Sequence, residues 1–89
     1  MEPLATSVKV LPGYRLAVSF DDGTRGVVDC SRWLFERDTG IFAPLRDPTL
    51  FATAYVNHEC GVIEWPNGAD IAPETLYEEA HRPSADYAD

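Results

Sequence analysis

Residues 14–28 read YRLAVSFDDGTRGVV, and no other stretch of the chain narrows its fold as far. Tyr14, Leu16, Val18 and Phe20 alternate with Arg15, Ala17 and Ser19, so an extended backbone lays the four large apolar groups on one face. A strand of this kind is half-buried, with one side on a core and the other in water. Asp21-Asp22-Gly23-Thr24 supplies residues that tolerate the positive φ of a tight hairpin turn, and residues 24–28 return as the next strand. Upstream, residues 7–11 (SVKVL) alternate as well, with Val8 and Val10 on one face, until Pro12-Gly13 stops them. Strands joined by turns this short pair antiparallel, because a parallel pair needs a long crossover.

The rest of the chain adds short elements. Asp29 is placed to cap a helix over 30–35, with Trp33 and Leu34 facing the sheet. Asp38-Thr39-Gly40 ends that excursion, and residues 41–45, interrupted by Pro44, begin with a short extended piece. At Asp47-Pro48 a capping residue precedes a proline that loses no intrahelical bond, which predicts a helix over 48–54 with Leu50 and Phe51 buried. Residues 55–57 form a strand, 58–61 a turn, and 62–65 pair back against it. After the Pro66-Asn67-Gly68 turn and an extended piece at 69–71, Pro73 opens a last helix over 73–80. Leu76 and Ala80 share one side of it, while Glu74, Glu78 and Glu79 stay wet. The expected fold is α+β: a small, mainly antiparallel sheet of five or six short strands with two or three short helices on one face. Residues 1–82 form a single α+β domain and 83–89 a flexible acidic C-terminal tail.

Charge sorts the function classes. The 89 residues hold seven Lys or Arg and fifteen Asp or Glu, a net charge of −8, and Lys9 is the one lysine. Nucleic-acid affinity draws largely on cations that neutralise phosphates, so direct nucleic-acid binding is not expected. From Asp70 to Asp89, six carboxylates face Arg82 alone, an acidic end that suits a small basic protein partner. There is no basic n-region followed by an apolar run, and no apolar stretch near the ~20 residues needed to cross a bilayer, so a cytoplasmic protein without membrane contact is expected. Cys30 and Cys60 are then reduced thiols.

No residue set assembles into a recognisable reaction centre. His58 and Cys60 are two apart, but structural zinc takes four ligands in tight pairs, and none is present; neither a metal nor another cofactor is expected. Cys30 lacks a base in its neighbourhood and lies beside Asp29, which opposes thiolate formation. Asp29 and Asp70, each after an apolar strand, are the carboxylates that would serve an enzyme or ligand-binding cleft with Trp65; the structural alternative is that each braces nearby backbone N–H groups. Glycines never cluster into a phosphate-binding loop. The chain is therefore expected not to be an enzyme, and no catalytic residue is assigned. Trp65, ending a strand just before a turn, is either an interface anchor or a lid on the core against the last helix.

The ordered set Val10-x-Pro12-x-Tyr14-x-Leu16-x-Val18-x-Phe20, Asp22-Gly23 and Asp29, then Gly40-x-Phe42-x-x-Leu45-x-Asp47 with Phe51, then Val62 through Trp65, Asn67, Gly68, Asp70, Ile71, Pro73, Leu76 and Tyr77, resembles a bacterial family catalogued as domain of unknown function 2442. The resemblance implies a small α+β domain. Some relatives carry an added helix-turn-helix after it, for which this chain is too short and too acidic. Relatives are often encoded beside another small uncharacterised protein, an arrangement similar to a toxin–antitoxin pair in which this domain would be the antitoxin-like partner. The family implies no catalytic residues. The leading expectation is a non-catalytic protein-interaction module, with Trp65, Asn67, Asp70, Tyr77 and Glu78 as contact candidates. A regulator acting on nucleic acid through a basic partner is the second, and a cleft near Asp29 and Asp70 the third. An open strand edge would also permit a homodimer.

Overall fold

The computed structural model describes residues 3–36 and 40–81, apart from the side chains of Arg32, Trp33 and Glu36. The expected packing of Trp33 and the expected acidic tail therefore lie outside the described residues. Six strands run in the order β1 (Ala5–Leu11), β2 (Arg15–Phe20), β3 (Arg25–Asp29), β4 (Tyr55–Asn57), β5 (Val62–Glu64) and β6 (Asp70–Ile71). They form two antiparallel sheets, β1-β2-β3 and β4-β5-β6, where one sheet was expected. Between β1 and the β4–β5 hairpin, the backbones meet at their ends, where Ala5 N donates to Gly61 O at 3.1 Å. Gly61 permits that approach: its φ is +71°, and a Cβ there would stand 2.4 Å from the Leu4 side chain.

The first sheet follows the alternation closely. Val8 opposes Val18, and Val10 opposes Leu16, which opposes Val28. Leu16, Val18, Phe20 and Val28 are buried. A register shift between Ala5 and Ser7 reverses the phase of β1, so that Ala5 turns inward although Ser7 faces out. Tyr14 lies outside β2 because its φ is +62°. That conformation costs a non-glycine residue roughly 1–2 kcal/mol. It is offset by contacts on every side: Tyr14 O accepts from Cys30 N at 2.9 Å, its hydroxyl donates to Arg46 O, and its ring meets Phe35 and Phe51 edge-on at 5.1 and 5.2 Å.

Helix α1 (Ser31–Glu36) is followed by a 3-10 helix, Gly40–Arg46, and α2 (Pro48–Phe51). The 3-10 segment replaces the extended piece expected after Gly40, since the φ fixed by Pro44 suits a tight helical turn as well as an extended one. Asp47 caps α2 as expected, accepting from Thr49 N at 2.9 Å, but the helix stops at Phe51 rather than 54. Helix α3 (Pro73–Ala80) matches its expected span. It packs on the inner face of the first sheet at Gly26, where an added Cβ would lie 2.2 Å from Ala80 O. One continuous core runs under both sheets and includes Leu16, Leu34, Leu45, Phe51, Ile63, Trp65 and Leu76.

Candidate interaction surface

The five contact candidates do not form one patch. Trp65 is 1% exposed. Its backbone closes the turn after β5, with Trp65 N donating to Ala69 O at 2.9 Å, and its indole Nε1 donates to Phe51 O at 3.0 Å. The rings of Phe51 and Phe42 flank it at 5.7 and 6.3 Å. A large apolar group whose single donor is already satisfied belongs to the core, so of the two readings of Trp65 the structure has the buried one. Asn67 braces the same turn: its Nδ2 donates to Ile41 O at 3.0 Å and its Oδ1 accepts from Ala69 N at 3.1 Å.

Tyr77 points back onto the first hairpin. Its hydroxyl donates to Asp22 Oδ2 at 2.7 Å, its ring meets Phe20 edge-on at 5.0 Å, and it stacks on His81 at 4.1 Å. Asp22 Oδ1 accepts from Thr24 Oγ1 at 2.6 Å and from Thr24 N at 3.0 Å. The Thr24 hydroxyl first, then the Thr24 amide and the Tyr77 hydroxyl, hold the Asp22 carboxyl below the usual carboxylate value. Tyr77 thus fastens α3 to the β2–β3 turn.

Asp70 and Glu78 remain on the surface. Register places Asp70 opposite Glu64, and Glu64 opposite Tyr55, on the solvent face of the second sheet. Like charges in cross-strand register repel. Glu64 is partly accommodated: it accepts from Asn57 Nδ2 at 3.2 Å and from the Tyr55 hydroxyl, a bond that pushes the phenol above its usual value. Tyr55 is 43% exposed beside these carboxylates. Glu74 and Glu78 extend exposed acid along α3.

The chemistry considered for Asp29 and Cys30 is already occupied. Asp29 Oδ1 accepts from Ser31 N at 3.0 Å and Ser31 Oγ at 2.6 Å, the bracing role anticipated for it. It stands on the first sheet and Asp70 on the second, both exposed. Burial, and next the Asp29 charge, push the Cys30 thiol up to about 12, the reverse of an activated nucleophile. Among the described residues, no group of three or more His, Cys, Asp and Glu could hold a metal ion.

One surface escaped the sequence reading. The outer face of the first sheet is a three-by-three grid: Ser7–Ser19–Arg25, Lys9–Ala17–Val27 and Leu11–Arg15–Asp29. Lys9, Arg15 and Arg25, three of the seven cations in the chain, share it with Asp29 alone as a counter-charge. All three are exposed, as is Val27 between them. The signal lay in the alternation, but only pairing register reveals that the three cations converge.

Known proteins give this geometry a context. A family model described as "Protein of unknown function (DUF2442)" matches residues 5–82. The chain belongs to that family. None of the curated proteins compared with this DUF2442 chain matches it. Among solved structures, the crystal structure of a protein from Nitrosomonas europaea ATCC 19718, named "Putative DNA Binding Protein", is similar with a TM-score of 0.73 and 28% identity. The match covers 88% of the DUF2442 chain and 48% of the Nitrosomonas chain, so the chain spans about half the length of that neighbour. No helix among the described residues is long and apolar enough to cross a membrane.

Proposed function

We propose that this DUF2442 chain is a non-catalytic binding domain whose second sheet receives a small basic protein. The observation that carries the reading is the Glu64–Asp70 pair, two carboxylates held opposite each other on an exposed face beside Tyr55. A lysine or arginine seated between them would relieve their repulsion, and the Tyr55 ring offers such a cation an aromatic neighbour. Glu74 and Glu78 on α3 would steer the partner toward the domain, an effect that weakens as salt rises. An antitoxin-like pairing with a small neighbouring-gene protein is one form this binding would take. The absence of an enzymatic role belongs to the same proposal and is supported by Asp29 being engaged with Ser31 and the Cys30 thiol being held protonated. The test is affinity capture at moderate salt, with mass spectrometry of what stays bound. One stoichiometric basic protein, lost on Asp70→Lys, supports the reading; an empty capture, or a partner indifferent to Asp70→Lys, refutes it.

A second reading has its own support. The Nitrosomonas neighbour is named for DNA binding, and Lys9, Arg15 and Arg25 form a cationic face. Retention on duplex DNA that falls steeply with salt and is lost on Lys9→Glu with Arg25→Glu would favour it.

A further inference from the structure

We infer that the outer face of the first sheet docks onto helix α3 of a second copy of this chain, so that molecules stack front to back in a salt-sensitive, open-ended series. The inference goes beyond the binding of a basic partner: it turns on the outer face of the first sheet, and shares with that reading only the exposed carboxylates of α3. Its origin is a polarity built across one sheet. On the inner side of β1-β2-β3 lies α3, packed at Gly26 and pinned by Tyr77 to Asp22, with Glu74 and Glu78 facing away into solvent. On the outer side stand Lys9, Arg15 and Arg25. The domain therefore presents cations on one side and carboxylates on the other.

The cations are spread over the grid. Strand spacing and rise put the backbone of Lys9 about 8 Å from Arg15 and about 12 Å from Arg25. Glu74 and Glu78, one helical turn apart, lie about 6 Å from each other. A pair of carboxylates at that spacing can address Lys9 together with one arginine. Ser7, Ala17 and Ser19 keep the surface between the cations low, and Val27, 46% exposed, supplies an apolar contact at its edge. Among the described residues Lys9 and Arg25 have no ion-pair partner within the chain, so docking would not break an existing pair. Arg15 is directed by its own turn, its Nε donating to Pro12 O at 3.0 Å.

The complementary faces lie on opposite sides of the molecule, so the contact is heterologous. A heterologous contact continues into a chain of copies unless its rotation closes a ring, whereas a twofold contact stops at a dimer. A nucleic acid fits this face less well: it carries no exposed aromatic platform for bases, and the chain's net charge of −8 opposes a polyanion at long range.

Sedimentation equilibrium of the whole chain, at salt from about 20 mM to about 500 mM, tests the proposal across the range in which screening between exposed charges becomes strong. The expected result is a weight-average mass at low salt that rises with concentration without levelling at twice the monomer, with the association constant falling ten-fold or more at high salt. Lys9→Glu with Arg25→Glu takes the net charge from −8 to −12 and should leave a monomer. Glu74→Lys with Glu78→Lys takes it from −8 to −4 and should also leave a monomer, although relief of general repulsion alone predicts stronger association. The variant with all four changes returns to −8 and should associate again, which also shows that the substituted chains fold. A monomer at every low-salt concentration overturns the proposal. So does tighter association of the Glu74→Lys, Glu78→Lys variant, a plateau at a dimer, or failure of the fourfold variant to recover. Salt-sensitive binding of the wild type to duplex DNA, lost on reversing Lys9 and Arg25, would assign the face to a polyanion instead.

Discussion

Replacing Gly26 by alanine sets two effects of opposite sign against each other. Glycine within a strand costs roughly 0.5–1 kcal/mol relative to alanine, so on local grounds Gly26→Ala should stabilise the domain. The structure predicts the reverse. The new Cβ would lie 2.2 Å from Ala80 O and 2.9 Å from Ala80 C, inside the 3.0 Å limit that real Cβ contacts respect. The obstruction is backbone at the end of α3, not a side chain that can swing aside, so the helix terminus has to retreat by about 1 Å. Overpacking of this kind costs typically 1–3 kcal/mol, and the backbone obstacle places the change toward the upper end. After the local gain, a net loss of about 2 kcal/mol is expected. In urea the midpoint should fall by about 1 M, and the melting temperature by roughly 8–16 °C for a domain this size. Hydrogen exchange locates the damage. The amides of Leu76 and His81, bonded to Ala72 O and Tyr77 O, should exchange faster, while Phe20 N, bonded to Thr24 O, should keep its protection. A Gly26→Ala variant as stable as the wild type, or more so, would refute the reasoning.

Trp65→Phe keeps a ring in the core but takes the indole donor from Phe51 O, which still accepts from Ala54 N at 3.3 Å, and leaves unfilled volume behind the smaller ring, so a loss of about 1–3 kcal/mol is expected; a denaturation midpoint equal to the wild type would show that neither the bond nor the lost volume contributes. A thiol-alkylating reagent at neutral pH should modify exposed Cys60 quickly and buried Cys30 only on unfolding, because Cys30 stays protonated until about pH 12; rapid native labelling at Cys30 would contradict the packing. Tyr77→Phe removes one of the bonds that lower the Asp22 carboxyl from 3.8. A lowered carboxyl contributes stability that is present above the unfolded-state value and lost as pH falls through the folded one. Thermal melts of wild type and Tyr77→Phe should therefore converge as pH drops below 3.8, and a gap unchanged down to about pH 2 would remove Asp22 from the account.

Much of this architecture was legible because its determinants are local. The alternation at 16–20, the Asp21–Thr24 turn, the Asp47-Pro48 cap and the Pro73 helix start each depend on neighbouring residues, and the corresponding elements begin within one or two positions, although the helix after Asp47 ends three residues early. What escaped depends on long-range register. The two sheets meet where β1 reaches the β4–β5 hairpin at Gly61, a contact between residues 56 apart in sequence. Trp65 looks equally suited to a surface or a core until Phe51 O is found at its indole nitrogen. The left-handed Tyr14 was hidden by the strength of the alternation it begins. Cations at 9, 15 and 25 look scattered until strand pairing brings them onto one face. Glu78 was read as wet and is exposed, and Asp70, read as a cleft carboxylate or a backbone brace, is exposed as well, while Asn67 and Tyr77 turn out to hold the fold together.

The way α3 is held has a consequence for the order in which the chain folds. The helix is eight residues long and is preceded at its N-cap by Ala72, whose side chain offers no capping bond. A helix that short is marginal by itself in water. It persists because it is docked, and the bond that fastens it, from Tyr77 to Asp22, joins residues 55 apart. Closing so large a loop has an entropic cost that must be met before the contact contributes anything. The β2–β3 hairpin, whose strands are joined by a four-residue turn, meets almost none of that cost and can form first. On this timeline α3 settles last, onto a sheet that already exists. Changes within it, Tyr77→Phe included, should then accelerate unfolding while leaving the refolding rate nearly untouched.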